Sequence, residues 1–214
     1  MTLRNALLST ALLCSLVAPP VHAATYRYQS NTKSPSLTFS GSYQGETFTG
    51  RFGRINADIS FDPTSLATSR FDVTIMLASV DTRNSERDDS LRGADFFNVA
   101  KMPTAHYLAT KFRSLGGNRY AADGTLTLRG VTKPVTLNFV WTAGVIVALT
   151  GDASVNRLDF GVGGGEWADT STIGNAVKVH TSLVLNPAPG AARAVVPVKA
   201  SAAPRSTKKP PIKK

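Results

Sequence analysis

Between an apolar start and a basic end, this 214-residue chain carries two histidines, His106 and His180. They are the side chains there whose ordinary titration falls near neutral pH. Neither stands at ligand spacing from another histidine or a cysteine, so no metal site is expected. Each reads as a structural or solvent-facing strand residue. The turn GVGGGEW (161–167) is rich in glycine but lacks the strand-to-helix order of a phosphate loop. Glu166 and Asp169 could pair as carboxylates beside Trp167, although two acids in a turn are usually just solvated. No nucleophile elbow is present. One charged segment stands out, NSERDDSLRGADFF (84–97), which ends in Phe96 and Phe97. Its Arg87 and Arg92 suit an anionic headgroup, because guanidinium pairs well with phosphate. The chemistry on offer is therefore binding rather than catalysis.

These residues need elements to hold them, and the pattern is that of strands. Ile55, Ala57, Ile59 and Phe61 alternate with polar residues. So do Phe71, Val73, Ile75 and Leu77, then Val135, Leu137, Phe139 and Trp141, and finally Val177, Val179, Thr181, Leu183 and Leu185. Period two marks strands with one apolar face. Turn chemistry falls between them, as FDP (61–63), GGN (116–118), ADG (122–124) and RG (129–130). The expectation is an all-β antiparallel barrel of about eight strands, whose apolar faces form either a filled core or a cavity for one small ligand. A small outer-membrane barrel fits less well, because Asp58, Asp72, Asn138 and Lys178 fall on the polar faces at strand centres.

The charged segment interrupts this pattern with one short helix. Asn84 suits its N-cap, and Glu86, Asp88 and Asp89 suit its first turns. Leu91, Phe96 and Phe97 give it a narrow apolar stripe that must lie on something apolar. Two roles remain open: a cap over a ligand at the barrel mouth, or a plug that only closes the barrel. Arg87, Asp88, Asp89 and Arg92 fit a solvated charged face.

Both chain ends read as separate from the domain. Residues 1–23 form a signal peptide: Arg4, the apolar run Ala6–Val17, then Val21-His22-Ala23 before a cut. The single cysteine, Cys14, lies inside it, so the exported chain has no thiol chemistry. Residues 187–214 form a disordered Pro/Ala/Lys-rich tail with Arg193, Lys199, Arg205, Lys208, Lys209, Lys213 and Lys214 and no acid. Together with Arg4 these account for eight of the formal +10, which leaves the domain (24–186) at about +2. A balanced domain of this kind gives no support to nucleic-acid binding. The tail is either a solubilising extension or a transient tether to an anionic membrane surface.

The segment VDTRNSERDDSLRGADFFNVAKMPTAHY resembles the one that marks the YceI-like family of secreted bacterial lipid-binding proteins. GRFGRINADISFDP (50–63), GTLTLRGVTKPVTL (124–137) and GDASVNRLDFGVGG (151–164) resemble further family motifs in the same order. The last carries Asn156, Arg157, Asp159, Phe160 and Gly161. The resemblance covers about residues 25–185. It implies a lipocalin-like barrel capped by the short helix, and a long apolar channel for an isoprenoid chain such as a polyprenyl phosphate or a quinone tail. Some relatives of this family bind fatty amides instead, so an amphiphilic lipid of that kind is the other implied partner. It implies a periplasmic or secreted location and no cofactor beyond the bound lipid. A homodimer is compatible with it. An alternative within the same resemblance is a periplasmic stress or redox accessory that meets a membrane quinone protein. On the ligand wall it places Phe39, Phe52, Phe61, Phe71 and Ile75 from the early strands. Leu108, Phe112, Leu137, Phe139, Trp141 and Phe160 follow from the later ones. Arg87, Leu91, Arg92, Phe96 and Phe97 are expected from the cap. Many relatives have a histidine where this chain reads SGSYQGE, with Tyr43, so headgroup recognition here differs.

Overall fold

The computed structural model describes residues 25–29 and 37–187. The expected signal peptide (1–23) and the expected tail beyond Pro187 lie outside the described residues. The strands are β1 (Thr25–Gln29), β2 (Leu37–Tyr43), β3 (Glu46–Phe52), β4 (Ile55–Ser60), β5 (Arg70–Met76) and β6 (Val80–Asp81). The helix α1 (Ser85–Arg92) follows, and then β7 (Thr104–Gly116), β8 (Arg119–Leu128), β9 (Val131–Thr142), β10 (Val147–Asn156) and β11 (Ala176–Pro187).

Hydrogen bonding links β1, β4, β5, β7, β8, β9, β10 and β11 in that order, and β11 pairs back to β1. These eight strands make the antiparallel ring that the alternation predicts. The edge of β11 is shared. Asn186 and Pro187 pair with β1, whereas Lys178 to Thr181 pair with β2. From there β2, β3 and β6 extend the wall on the side of α1. A ring removes most free strand edges.

Alternation sets the two faces. Ile55, Ala57 and Ile59 on β4 are buried, as are Phe139 and Trp141 on β9 and Thr181, Leu183 and Leu185 on β11. Asp58, Asn138 and Lys178 lie exposed on the outer wall. A lysine at mid-bilayer costs roughly 2–4 kcal/mol, so this wall is unsuited to lipid contact along its length.

The barrel has two unlike ends. The β7–β8 and β9–β10 turns share one end, and the β8–β9 turn, the 157–175 loop and α1 share the other. At the first end Phe61, Phe71, Phe112, Tyr120, Phe139 and Trp141 pack ring on ring. Phe61 lies 4.8 Å from Trp141 and 5.2 Å from Phe139, centroid to centroid, and Phe71 lies 4.8 Å from Phe112. Several of these pairs are edge-to-face, the arrangement that the aromatic quadrupole favours. This cluster fills the barrel at that end.

Candidate functional site

Above the aromatic cluster the barrel is not filled. A cavity of about 230 Å³ lies toward the α1 end, and its walls are almost wholly apolar. Strands β2 and β3 supply Leu37, Phe39, Phe48 and Phe52, while β4 and β5 supply Ile55, Ile59, Phe71, Val73 and Ile75. Leu126, Leu128, Val135 and Leu137 come from the β8–β9 hairpin, and Val177, Val179 and Leu183 from β11. Leu91, Phe96 and Phe97 close over it from α1 and the segment that follows. The structure therefore favours a cavity over a completely filled core.

The ionisable side chains on this wall are Tyr107 and Arg157. The Tyr107 hydroxyl donates to the Ala122 carbonyl at 2.8 Å, and burial raises its pKa far above the usual phenol range. It is therefore a neutral group. Arg157 is buried, and burial lowers its pKa. Its Nε donates to the Gly174 carbonyl. Its Nη1 donates to the carbonyls of Val162 and Gly163, and its Nη2 to those of Trp167 and Ile173. A guanidinium has five N–H donors, and all five are spent on carbonyls. Arg157 therefore pins the 157–175 loop rather than offering a charge to a ligand. The cavity selects by shape and apolar contact. A charged headgroup inside it would be unpaired and costly, so such a group belongs outside.

The cap is built from the sequence it was expected in. Asn84 caps α1 by accepting from the Arg87 backbone N–H at 2.9 Å. Asp88 is a correction to the solvated-face expectation. It is buried, and one carboxylate oxygen accepts from both the backbone N–H and the hydroxyl of Thr82, at 2.8 and 2.7 Å. Thr82 follows β6, so Asp88 fastens the helix to the wall. Arg92 donates to the carbonyls of Ala78 and Val80, and Arg87 sits 4.6 Å over the ring of Phe48.

The segment after α1 is held from two further sides. Arg129 and Gly130 form the β8–β9 turn with φ of 51° and 75°, the left-handed pair that tight hairpins need. That turn aims the Arg129 guanidinium at the carbonyls of Ala94 and Phe96. On the other side, the Gly163 N–H donates to the Asp95 carbonyl at 2.8 Å. Gly163 has φ of 62°, and a Cβ there would meet Arg157 Nη1 at 2.8 Å and the Phe96 ring at 3.0 Å. Only glycine lets the loop approach the cap so closely.

Nine of the residues expected on the ligand wall line the cavity: Phe39, Phe52, Phe71, Ile75, Leu91, Phe96, Phe97, Leu137 and Phe160. Phe61, Phe112, Phe139 and Trp141 do not line it, because they make up the aromatic cluster at the far end. Leu108 alternates with Tyr107 and Ala109 and so falls on the outer face of β7, opposite Asp72. Arg87 and Arg92 lie on the cap's outer surface, engaged as described. Tyr43 is exposed at the end of β2, where it bridges to Ile173. The expected set left out Tyr107, Phe48 and aliphatic wall residues such as Leu37, Ile59, Val73 and Val177. Tyr107 was legible, since it alternates with Ala105 and Ala109 in TAHYLA.

The histidines are placed on the outside. His106 Nε2 lies 2.7 Å from Asp72 Oδ1, and His180 Nδ1 lies 2.8 Å from Asp152 Oδ1. The Asp169 carboxylate accepts from the backbone and hydroxyl of Ser171, and the Ser171 backbone N–H is the main cause of its lowered pKa. It is a turn device rather than half of a carboxylate pair with Glu166. Among the described residues no group of three or more His, Cys, Asp or Glu could hold a metal ion.

The pattern of the YceI-like domain matches residues 28–185. A protein of Shewanella baltica described as UPF0312 is 32% identical over 170 residues, which cover 75% of this chain and 88% of that protein. Among solved structures, BcnA of Burkholderia cenocepacia superposes with a TM-score of 0.69 at 27% identity, over 73% of this chain and 99% of that one. A polyisoprenoid binding domain from Saccharophagus degradans, implicated in plant cell wall breakdown, superposes with a TM-score of 0.59. It is 18% identical and covers 78% of this chain and 100% of that one, so it speaks to the fold.

Proposed function

Since the chain belongs to the YceI-like domain family, we propose that it is an exported, non-enzymatic carrier that holds an isoprenoid-type lipid by its apolar chain. The observation that carries this reading is the cavity of about 230 Å³, whose wall offers a ligand apolar side chains and no free charge. Burying an apolar chain gains roughly 25 cal/mol per Å² removed from water, and nothing on the wall competes with that gain. The polyisoprenoid binding domain that shares this fold supports the isoprenoid class. The volume falls just below the ~300–1,000 Å³ usual for sites that enclose a whole drug-sized ligand. A long chain is therefore held by one segment, or it widens the walls on entry. Either way the headgroup stays outside. Polyprenyl phosphate and quinone remain equal candidates on this ground, and a quinone would fit the redox-accessory variant. Export rests on the N-terminal sequence alone.

Delipidated protein titrated with a polyprenyl phosphate, the corresponding polyprenol and a quinone tests the reading. Affinity should follow chain length and change little with headgroup charge. Binding that depends on the phosphate and ignores chain length would reject it.

A further inference from the structure

Among the described residues the floor of the cavity is a single layer of side chains, one from each of five strands. Ile59 on β4 lines the cavity, and Phe61, two residues on, does not. The same step separates Leu137 from Phe139 on β9 and Leu183 from Leu185 on β11. On β10, which runs the other way, Leu149 lines the cavity and Val147 does not. Phe71 completes the layer from β5, paired in register with Ile59. Ile59, Phe71 and Leu149 are each only 1% exposed.

Phe71 belongs to both halves of the barrel. It lines the cavity, and its ring also lies 4.8 Å from Phe112, 5.2 Å from Phe139 and 6.1 Å from Phe61. Three rings therefore back it from the filled end. A close-packed cluster of this kind yields only by losing its own contacts. The layer is also without polarity, since none of its five side chains has a donor or an acceptor. Tyr107 stands one step toward α1 on β7, because Ala109 is the partner of Phe71, and its proton already goes to the Ala122 carbonyl. The cavity is thus blind and apolar at the end away from α1. A phosphate, a carboxylate or a quinone ring driven to this floor would lose its water and meet no free donor.

We propose that the barrel takes its lipid by the far end and measures that end against the floor, with Phe71 as the stop. This rests on the carrier reading above and narrows its substrate class. The lipid is one whose chain ends in bare hydrocarbon, and a chain whose end has been oxidised or carries a second polar group is refused. Chain beyond the length that the cavity encloses stays at the α1 end with the headgroup. Recognition then lies in the tail, which polyprenyl phosphates and quinones share, and length selection lies in the floor.

The test uses the delipidated full chain with prenols of increasing length, geraniol, farnesol and geranylgeraniol. The readout is the ratio of the affinity for geranylgeraniol to that for geraniol, which cancels a uniform loss of active protein. Leu183→Phe raises the floor and should lower the ratio about tenfold, because the hydrocarbon it displaces is buried only by the longer chain. Phe71→Leu lowers the floor and should raise the ratio. Val177→Phe, on the same face of β11 but at the α1 end, should weaken both prenols alike. In the parent, farnesol bearing a diazirine at its far end should on irradiation label peptides that contain Ile59, Phe71, Leu137, Leu149 or Leu183. Farnesyl phosphate with a carboxylate at its far end should bind at least about tenfold more weakly than farnesyl phosphate itself. A ratio unmoved by both floor variants, or moved as far by Val177→Phe, overturns the proposal. So does label confined to Leu91, Phe96 and Phe97, or undiminished binding of the carboxylate. Each of these results leaves the carrier reading standing, whereas a parent that binds no prenol overturns both.

Discussion

The Phe96 ring packs against the Trp167 indole, with centroids 5.9 Å apart and planes inclined at 49°. Phe96 belongs to the cavity wall, while Trp167 belongs to the loop that Arg157 pins and is 39% exposed. The pair couples the cavity to a fluorophore at the surface. The other tryptophan, Trp141, is buried in the far cluster. A ligand that touches Phe96 should therefore shift the emission of Trp167. In Trp167→Phe the ligand-linked change should vanish while binding, followed by native mass spectrometry, persists. A change that survives in Trp167→Phe would place the ligand elsewhere.

Arg157→Lys keeps the charge but not the fork. At most three of the five carbonyl bonds can be remade, and buried carbonyls are left without donors. A loss of roughly 3 kcal/mol in urea unfolding is expected, at about 1–3 kcal/mol for each buried group left unpaired. A loss under about 1 kcal/mol would mean that the loop is held by other contacts.

How much of this was legible beforehand depended on the kind of signal. Period-two alternation reads faces directly, so the inward sets of β4, β5, β9 and β11 were right residue by residue. Asn84 and the Arg129–Gly130 turn were legible because caps and tight turns have local chemistry. Depth along the barrel axis has no such signal. Phe61, Phe139 and Trp141 face inward as expected, yet they fill the floor instead of lining the cavity, because the sheet's stagger decides height. The fate of a charge is likewise non-local. Asp88 looks like its neighbours Glu86 and Asp89, and only the return of Thr82 beside it buries it.

Asp88→Ala should leave the Thr82 N–H unpaired and its hydroxyl with only the Asn84 carbonyl at 3.4 Å, at a cost of roughly 1–3 kcal/mol. The loss should appear in the melting of both empty and filled protein. Phe97→Ala differs, because Phe97 packs on Phe52 at 5.8 Å and also lines the cavity. Its effect should fall more on ligand release rate than on the stability of the empty barrel. Equal destabilisation of empty and filled Phe97→Ala would make α1 only a plug.

Acid should weaken the fold through the outer-wall carboxylates. The hydrogen bond with His106 holds the Asp72 pKa below its ordinary value, assisted by Arg70. The Arg83 backbone N–H and then Arg51 do the same for Asp81, and Arg113 and then Thr136 for Asp123. A carboxyl whose folded pKa is lowered adds stability above its unfolded pKa and loses it as pH falls through the folded value. From these groups melting temperature should be level at neutral pH and decline below about pH 4. The effect is small for each, since each side chain is about a third exposed to screening solvent. A variant with all three changed to Asn should show a shallower acid slope, and an unchanged slope would assign acid sensitivity to other groups.

Organic extraction of the protein purified without delipidation, followed by mass spectrometry, tests the central claim most directly. The account predicts an isoprenoid-type lipid at close to one per chain, reduced in a variant that fills the cavity, such as Ala153→Phe. Extracts with no stoichiometric lipid, or with the same amount from parent and filled variant, would contradict it.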